Sequence, residues 1–352
     1  MTRLPIPYTR RMNGLMRRAP PMIVALLVAS ALPAPAAGAQ ERPLYTFHES
    51  FWNNLHHLLH ALGNERNGAP EAKRSAVAGA PREIDSQQLT AEESTAWNSA
   101  IEVYASSYAK RDLTFDAELV AITRALVAAR DAARLPAVGV PADLRTALHG
   151  AAPSYRRLLW GRDQERNRRA RENLESWIAR HGRPVTEAIS RAWAATWPVE
   201  GVPIELSSYA GWAGAYSTDG GLIVFSSAAP NNSGSSGFEI LVHEAMHQWD
   251  QTFQERLEAV ARSAKPAGRA LPPRLSHSLL FYGAGDAVAR EIPGHEPYAK
   301  TNGLWAGPLG HFGGLEPILD QHWRPYLRGQ RAFEEAIAGI LTALEPAAPT
   351  IR

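Results

Sequence analysis

The sequence predicts an α+β protein, mostly helical, with a small antiparallel or mixed sheet beside one motif-bearing helix. Three observations predict it. Apolar residues recur at helical spacing through most of the chain before Pro198. Between Val202 and Ser226 the pattern changes to short apolar runs, broken at Asp219-Gly220 by a strong hairpin-turn signal. Directly afterwards residues 239–250 read as an amphipathic helix carrying His243-Glu244-Ala245-Met246-His247, an H-E-x-x-H pattern.

Residues 1–39 read as a secretory signal. Arg17 and Arg18 close a basic region, residues 22–29 are apolar, and Ala37-Gly38-Ala39 is a small-residue cleavage pattern before Gln40. The apolar part is short for a membrane span and no second span follows, so the expectation is an exported chain, periplasmic or secreted, with no stable membrane anchor after cleavage. Five Arg and no acid lie in this leader; without it 32 basic residues face 35 acidic ones, so the overall charge of +2 does not indicate nucleic-acid binding. The sequence has no Cys, which is compatible with export and leaves His, Asp and Glu as ligands for any zinc.

Residues 40–198 form the expected helical N-terminal region. Residues 40–47 read as an exposed leader. Residues 48–62 read as a helix, with Phe51, Leu55, Leu58, Leu59 and Leu62 as its apolar stripe. His56 and His60 stand four apart there, but no carboxylate completes a metal pattern, so packing is the preferred reading. Residues 63–81 are loop-like. Thr90-Ala91-Glu92-Glu93 opens a helix to about Lys110, and 116–133 is another. Short helices follow at 142–150 and 153–160. A charged helix occupies 163–181, stopped by Gly182-Arg183-Pro184, and a further helix occupies 185–197.

Residues 199–347 form the region of the motif, and 348–352 a tail. Strands are expected at 202–206, 212–217 and 221–226, the last two as a hairpin. Ser236-Gly237-Phe238-Glu239 has the form of a capping box for the motif helix. A helix at 275–290 is weakened by Gly283 and Gly285. Residues 293–314 have loop composition with His295, Tyr298, Trp305 and His311. Helices at 315–327 and 333–344 close the region.

On a helix His243 and His247 share a face and can bind one metal ion together, while Glu244 can reach a water on that metal. Catalytic zinc takes three protein ligands plus water, so a third is needed. The candidates are His277, Asp286 and Glu291. His277 is favoured because the apolar stretch 279–282 beside it places it near the core, and imidazole suits zinc; Arg290 beside Glu291 suggests a surface ion pair for that acid. Glu244 is then the candidate general base. Tyr282, Tyr298 and His295 are candidates to stabilise developing charge on a substrate oxygen, and Asp250 or Glu239 to orient a ligand imidazole.

Strand, polar loop and H-E-x-x-H helix together resemble the zincin metallopeptidases. Residues 221–329 also resemble a group of uncharacterised bacterial exported proteins that share the motif helix, a later His-x-x-x-Phe-Tyr, here 277–282, and His-Trp-x-Pro-Tyr, here 322–326. The zincin resemblance implies zinc, hydrolysis of a peptide or protein substrate, and an edge strand that pairs with extended peptide, for which 221–226 is the natural candidate. It does not supply the metzincin third His. Two other functions stay open: a zincin-like binding protein without turnover, holding zinc on four protein ligands, and an interaction protein that uses the Arg-dense helix 163–181.

Overall fold

A computed structural model describes residues 42–68, 84–211, 213–218, 220–264, 271–306 and 312–344. The signal expected at 1–39, most of the loop at 63–81, Trp212, Asp219, His311 and the tail lie outside the described residues. Helices dominate, and four strands make one small mixed sheet, so the expected mostly helical α+β class is the one observed. Among the described residues, no helix is long and apolar enough to cross a membrane.

The first described element is a strand, β1 (Tyr45–Glu49), where an exposed leader and then a helix were expected. β1 runs parallel to β2 (Val202–Ser207), pairing Tyr45 with Val202 and Glu49 with Leu206. Its partner is more than 150 residues away, so no local pattern reveals it. Leu44 accepts from Val202 N and from the Trp197 indole, each at 2.9 Å. At Gly201 (φ +76) a Cβ would stand 2.8 Å from Pro43 O, so this close approach requires glycine.

Helix α1 (Phe51–Arg66) is buried along most of its length. Around it pack α2 (Ala91–Val103), α3 (Ala117–Ala129) and α4 (Ala142–Tyr155). Thr90 and Glu93 close a capping box at the helix start read from the sequence, and Asp116 caps α3. The short helices expected at 142–160 are one helix with Pro153 inside it, then a π turn at Arg156–Trp160.

The stop expected at 182–184 is absent. Helix α5 (Gly161–Trp193) continues through Pro184. Tertiary burial outweighs the lost main-chain bond, which costs about 3 kcal/mol. Leu174, Val185, Ile189 and Trp193 are all buried on α5, and Gly182 is where Leu44 crosses it. Several exposed Arg residues of α5 pair with neighbouring acids, as Arg168 does with Glu165 and Glu172. This is a solvated face of the kind the charge pattern suggested.

The hairpin forms from β3 (Ala215–Ser217) and β4 (Ile223–Ser226), antiparallel, with Tyr216 opposite Val224. The strand order is β1-β2-β4-β3, because β4 pairs parallel to β2. This corrects the edge assignment: 221–226 contains a central strand, and β3 is the edge. β2 and β4 are covered on both faces. One face, with Ile204, Leu206, Ile223 and Phe225, packs on Leu174 of α5 and on Ile240, Leu241 and Ala245. The other, with Val224 and Tyr216, packs on the α1 to α4 core. Burial on both faces explains why Ile-Val-Phe in β4 is a continuous apolar run.

The motif helix α6 (Gly234–Met246) starts before the expected capping box, at Ser233, and that box does not form. Glu239 instead turns into the core. A 3₁₀ turn (His247–Trp249) leads to α7 (Asp250–Ala264), and α8 (Leu275–Glu291) crosses the motif helix. Both glycines of α8 are contact points. A Cβ at Gly283 would overlap the Trp193 ring, and one at Gly285 would stand 2.7 Å from Pro297 Cβ. Their helix-propensity cost, about 1 kcal/mol each, permits this close packing. A short helix α9 (Tyr298–Thr301), α10 (Leu315–Leu327) and α11 (Phe333–Ala343) complete the chain.

Candidate metal centre

The last turn of α6 presents His243 and Glu244, and the 3₁₀ turn that follows presents His247. Val242, Ala245 and Met246 of the same segment are buried in the core. The buried residues fix the helix, and the ligand face is fixed with it. His277 comes from the first turn of α8, anchored by buried Leu275, Leu279 and Leu280.

These elements bring three imidazoles together. Ligand atoms of His243, His247 and His277 all lie within 4.8 Å of one another. His243 Nε2 is 3.2 Å from His247 Nε2 and 3.2 Å from His277 Nε2. Metal–nitrogen bonds of about 2.0–2.1 Å at tetrahedral angles set nitrogens about 3.3–3.4 Å apart, so the spacing fits one ion. Three neutral imidazoles crowded at such distances otherwise repel through their lone pairs or compete for protons. The charged form of His243 is strongly disfavoured, first by burial and then by His247 and His277. His247 behaves differently. Burial favours its neutral form, but the Asp250 hydrogen bond and the charges of Glu244 and Asp250 outweigh that and raise its pKa. Asp250 Oδ2 accepts from His247 Nδ1 at 2.7 Å, which leaves Nε2 as the atom that could bind a metal.

His277 is thus the candidate that joins the two motif histidines. Asp286 is engaged by Arg290 at 3.1 Å and Arg328 at 3.4 Å. Glu291 stands 3.1 Å from His181 Nδ1 on α5, so its partner is His181 and Arg290 belongs to Asp286. The pair His56 and His60 forms no metal group. His56 Nδ1 meets the Tyr104 hydroxyl at 2.7 Å, and His60 is satisfied by Arg111 O and Asn64. We expect His277→Ala to lower zinc affinity by at least 100-fold in a calorimetric titration, because a three-ligand site becomes a two-ligand one. Asp286→Ala and Glu291→Ala should leave it within threefold; an unchanged affinity in His277→Ala would remove His277 from the ligand set.

Glu244 is half-buried and tied to the edge strand. Ser217 Oγ on β3 lies 2.6 Å from Glu244 Oε2 and 3.0 Å from Glu244 O. Burial raises the Glu244 carboxyl pKa, against the His247 charge and the Ser217 hydrogen bond, which favour the carboxylate. Ser217 carried no signal in the sequence beyond its place at a strand end. Gly214 O accepts from Ser226 N and Thr218 N donates to Leu222 O, so the alternation of an antiparallel ladder turns the main chain of Ala215 and Ser217 away from β4, where Ala215 is buried and Ser217 half-buried.

An aromatic column stands on the triad. Phe281 stacks on His243 with centroids 3.8 Å apart, and Tyr298 stacks on Phe281 at 6.0 Å. The Tyr298 hydroxyl pKa is raised by burial and by Glu239 and Glu244. Tyr282 is placed differently: its hydroxyl donates to Asp320, which also holds Arg324. Five residues on from His277 is about 140° around the helix, so Tyr282 cannot share the His277 face. His295 is locked, with Nε2 2.6 Å from Glu239 Oε2 and Nδ1 2.9 Å from Ser235 Oγ, and is not a donor free for substrate. Glu239 accordingly holds His295 and no imidazole of the triad; Asp250 holds that of His247. No protein-family model, curated protein or solved structure matches the chain.

Proposed function

We propose that the protein is an exported zinc-dependent hydrolase, a metallopeptidase of the zincin kind. The observation that carries this reading is the convergence of three imidazoles beside a carboxylate that is itself tied to the edge strand β3. His243, His247 and His277 would hold the ion. Zinc on three histidines supplies a Lewis acid and lowers the pKa of a water toward about 7.

Glu244 takes a proton from the attacking water on its carboxylate and passes it to the leaving amine. Ser217 holds Oε2 of that carboxylate in place. The main chain of half-buried Ser217, turned away from β4, suits an extended peptide, which adds to β3 through main-chain hydrogen bonds. Tyr298 is the preferred donor to the substrate carbonyl oxygen as charge develops there. Export is supported by the basic-apolar-small pattern of residues 1–39.

The experiment is a peptide-library digest read by mass spectrometry on the mature chain. New amino termini should form with zinc, stop with a chelator, and return when zinc is restored. Zinc binding at one ion per chain with no cleavage would overturn the enzyme reading and favour a zinc-holding binding protein.

A further inference from the structure

Two buried groups beside the triad have no part in the chemistry above. Glu239 and His295 have side-chain exposures of 1% and 2%. Glu239 Oε2 receives His295 Nε2 at 2.6 Å and the main-chain N of Tyr298 at 2.8 Å. With Nε2 donating, a neutral His295 ring accepts at Nδ1 from Ser235 Oγ, 2.9 Å away. Ser235 and Glu239 are four apart on α6 and share a face. Three hydrogen bonds thus fasten residues 295–298 to the helix that carries His243, one turn before that ligand.

The joint leaves little slack. Across it lies Gly285 of α8, where a Cβ would stand 3.1 Å from Glu239 Oε1 and 2.7 Å from Pro297 Cβ. Burying a carboxylate is costly, and an apolar side chain of similar size would fill the space without that cost. What an apolar residue cannot do is accept from two donors at one point and so fix where the segment starts. The residue whose main-chain N is fixed is Tyr298, whose ring lies over Phe281 and, through it, over His243.

We propose that Glu239 and His295 are a positioning pair that sets Tyr298 over the metal centre. The pair acts through Tyr298 and touches neither metal nor substrate. This role rests on the metallopeptidase reading, because it matters only if Tyr298 donates to a reacting oxygen. An anchored main-chain N and a stacked ring leave the Tyr298 side chain few rotamers, so the donor is oriented before substrate arrives.

The test is a double-mutant cycle on the zinc-loaded protein with a peptide taken from the library digest. Tyr298→Phe should lower kcat about 100-fold, the usual cost of one such donor. Glu239→Leu should lower kcat by at least tenfold with KM and zinc stoichiometry unchanged. Glu239→Leu with Tyr298→Phe should be no slower than Tyr298→Phe alone, because the pair acts through that hydroxyl. Glu239→Gln, whose amide oxygen still accepts both hydrogen bonds, should keep most of the wild-type kcat. Losses that multiply, or that appear in zinc affinity, overturn the proposal. Should Glu239→Leu fail to fold, His295→Leu takes its place in the cycle.

Hydrogen exchange separates this proposal from the reading it rests on. The Tyr298 amide should be protected in the wild type and exchange at least tenfold faster in Glu239→Leu, which removes its acceptor. An amide equally fast in both removes the joint itself. An inactive wild type with a protected amide removes the metallopeptidase reading, and the catalytic role of the pair with it, but leaves the joint standing.

Discussion

Glu244→Gln should retain one zinc per chain and lose turnover by about 100- to 10,000-fold, the range for removal of a general base. The substitution keeps the size of the side chain, and Ser217 Oγ can still donate to the amide oxygen, so β3 and α6 keep their contact. Only the capacity to take a proton is removed. His243, His247 and His277 are untouched, so zinc affinity should change little. Initial rates on a library-derived peptide, with zinc measured on the same samples, check the expectation. Retained zinc with unchanged hydrolysis would mean that Glu244 is not the base. Lost zinc would mean that Glu244 contributes to the ion site itself. A fall in kcat with KM unchanged places the effect in the reacting step and not in peptide pairing on the strand.

The motif was legible because its chemistry lies within five residues. His243, Glu244 and His247 need only a helical turn to meet, and the apolar residues between them supply it. His277 was legible for a similar reason: the apolar stretch after it had to be buried, and burial carried the imidazole inward. Tyr282 lies in that same stretch and was misplaced, because helical phase and not proximity decides which side chains share a face. The hairpin of β3 and β4 was legible from Asp219-Gly220, but not which strand is the edge. That depends on Ile204 pairing with Ile223, a contact between strands that have β3 between them in the chain. β1 was hidden for the same reason and over a greater distance. Pro184 and Glu239 broke local rules: the proline is carried by burial on both sides of it, and the apparent cap residue is a buried acceptor for His295 and Tyr298.

The second large effect concerns stability and pH. Helix α1 buries His56, His57 and His60, each with a neutral ring. His57 Nδ1 donates to Asn53 O at 2.8 Å and its Nε2 accepts from the Tyr216 hydroxyl at 2.9 Å, a tautomer that a second proton would break. Burial lowers His57 and His60 from the ordinary 6.5 to about 4, against the main-chain hydrogen bonds that favour charge, and lowers His56 in the same direction. The unfolded chain therefore binds more protons than the folded one between pH 6.5 and about 4, so stability falls as the pH falls through that window. His57 and His60 each correspond to about 3 kcal/mol of stability present at pH 7 and lost on acidification.

Glu205 opposes them. It is fully buried at the centre of the sheet, and burial pushes its carboxyl up to about 8, against hydrogen bonds from Ser50. Here the folded state binds the extra proton, so stability falls as the pH rises from about 4.5 to about 8. Among these four groups the three histidines outweigh the carboxyl below pH 6.5, and above it Glu205 acts without them. Their joint contribution to the stability of the metal-free chain, read by urea unfolding, should therefore be largest near pH 6.5 and fall by several kcal/mol by pH 4.5. The variants separate titration from broken contacts. Glu205→Gln should flatten the decline above pH 6.5. His57→Gln should make the decline below pH 6.5 shallower by about 1.4 kcal/mol per pH unit, whatever constant loss it adds. A wild-type profile flat between pH 6.5 and 4.5, or one unchanged in slope by His57→Gln, would mean that these rings accept protons without unfolding α1. His57, and with it His56 and His60, which stand at metal-ligand spacing, would then have no energetic role of the kind their burial implies.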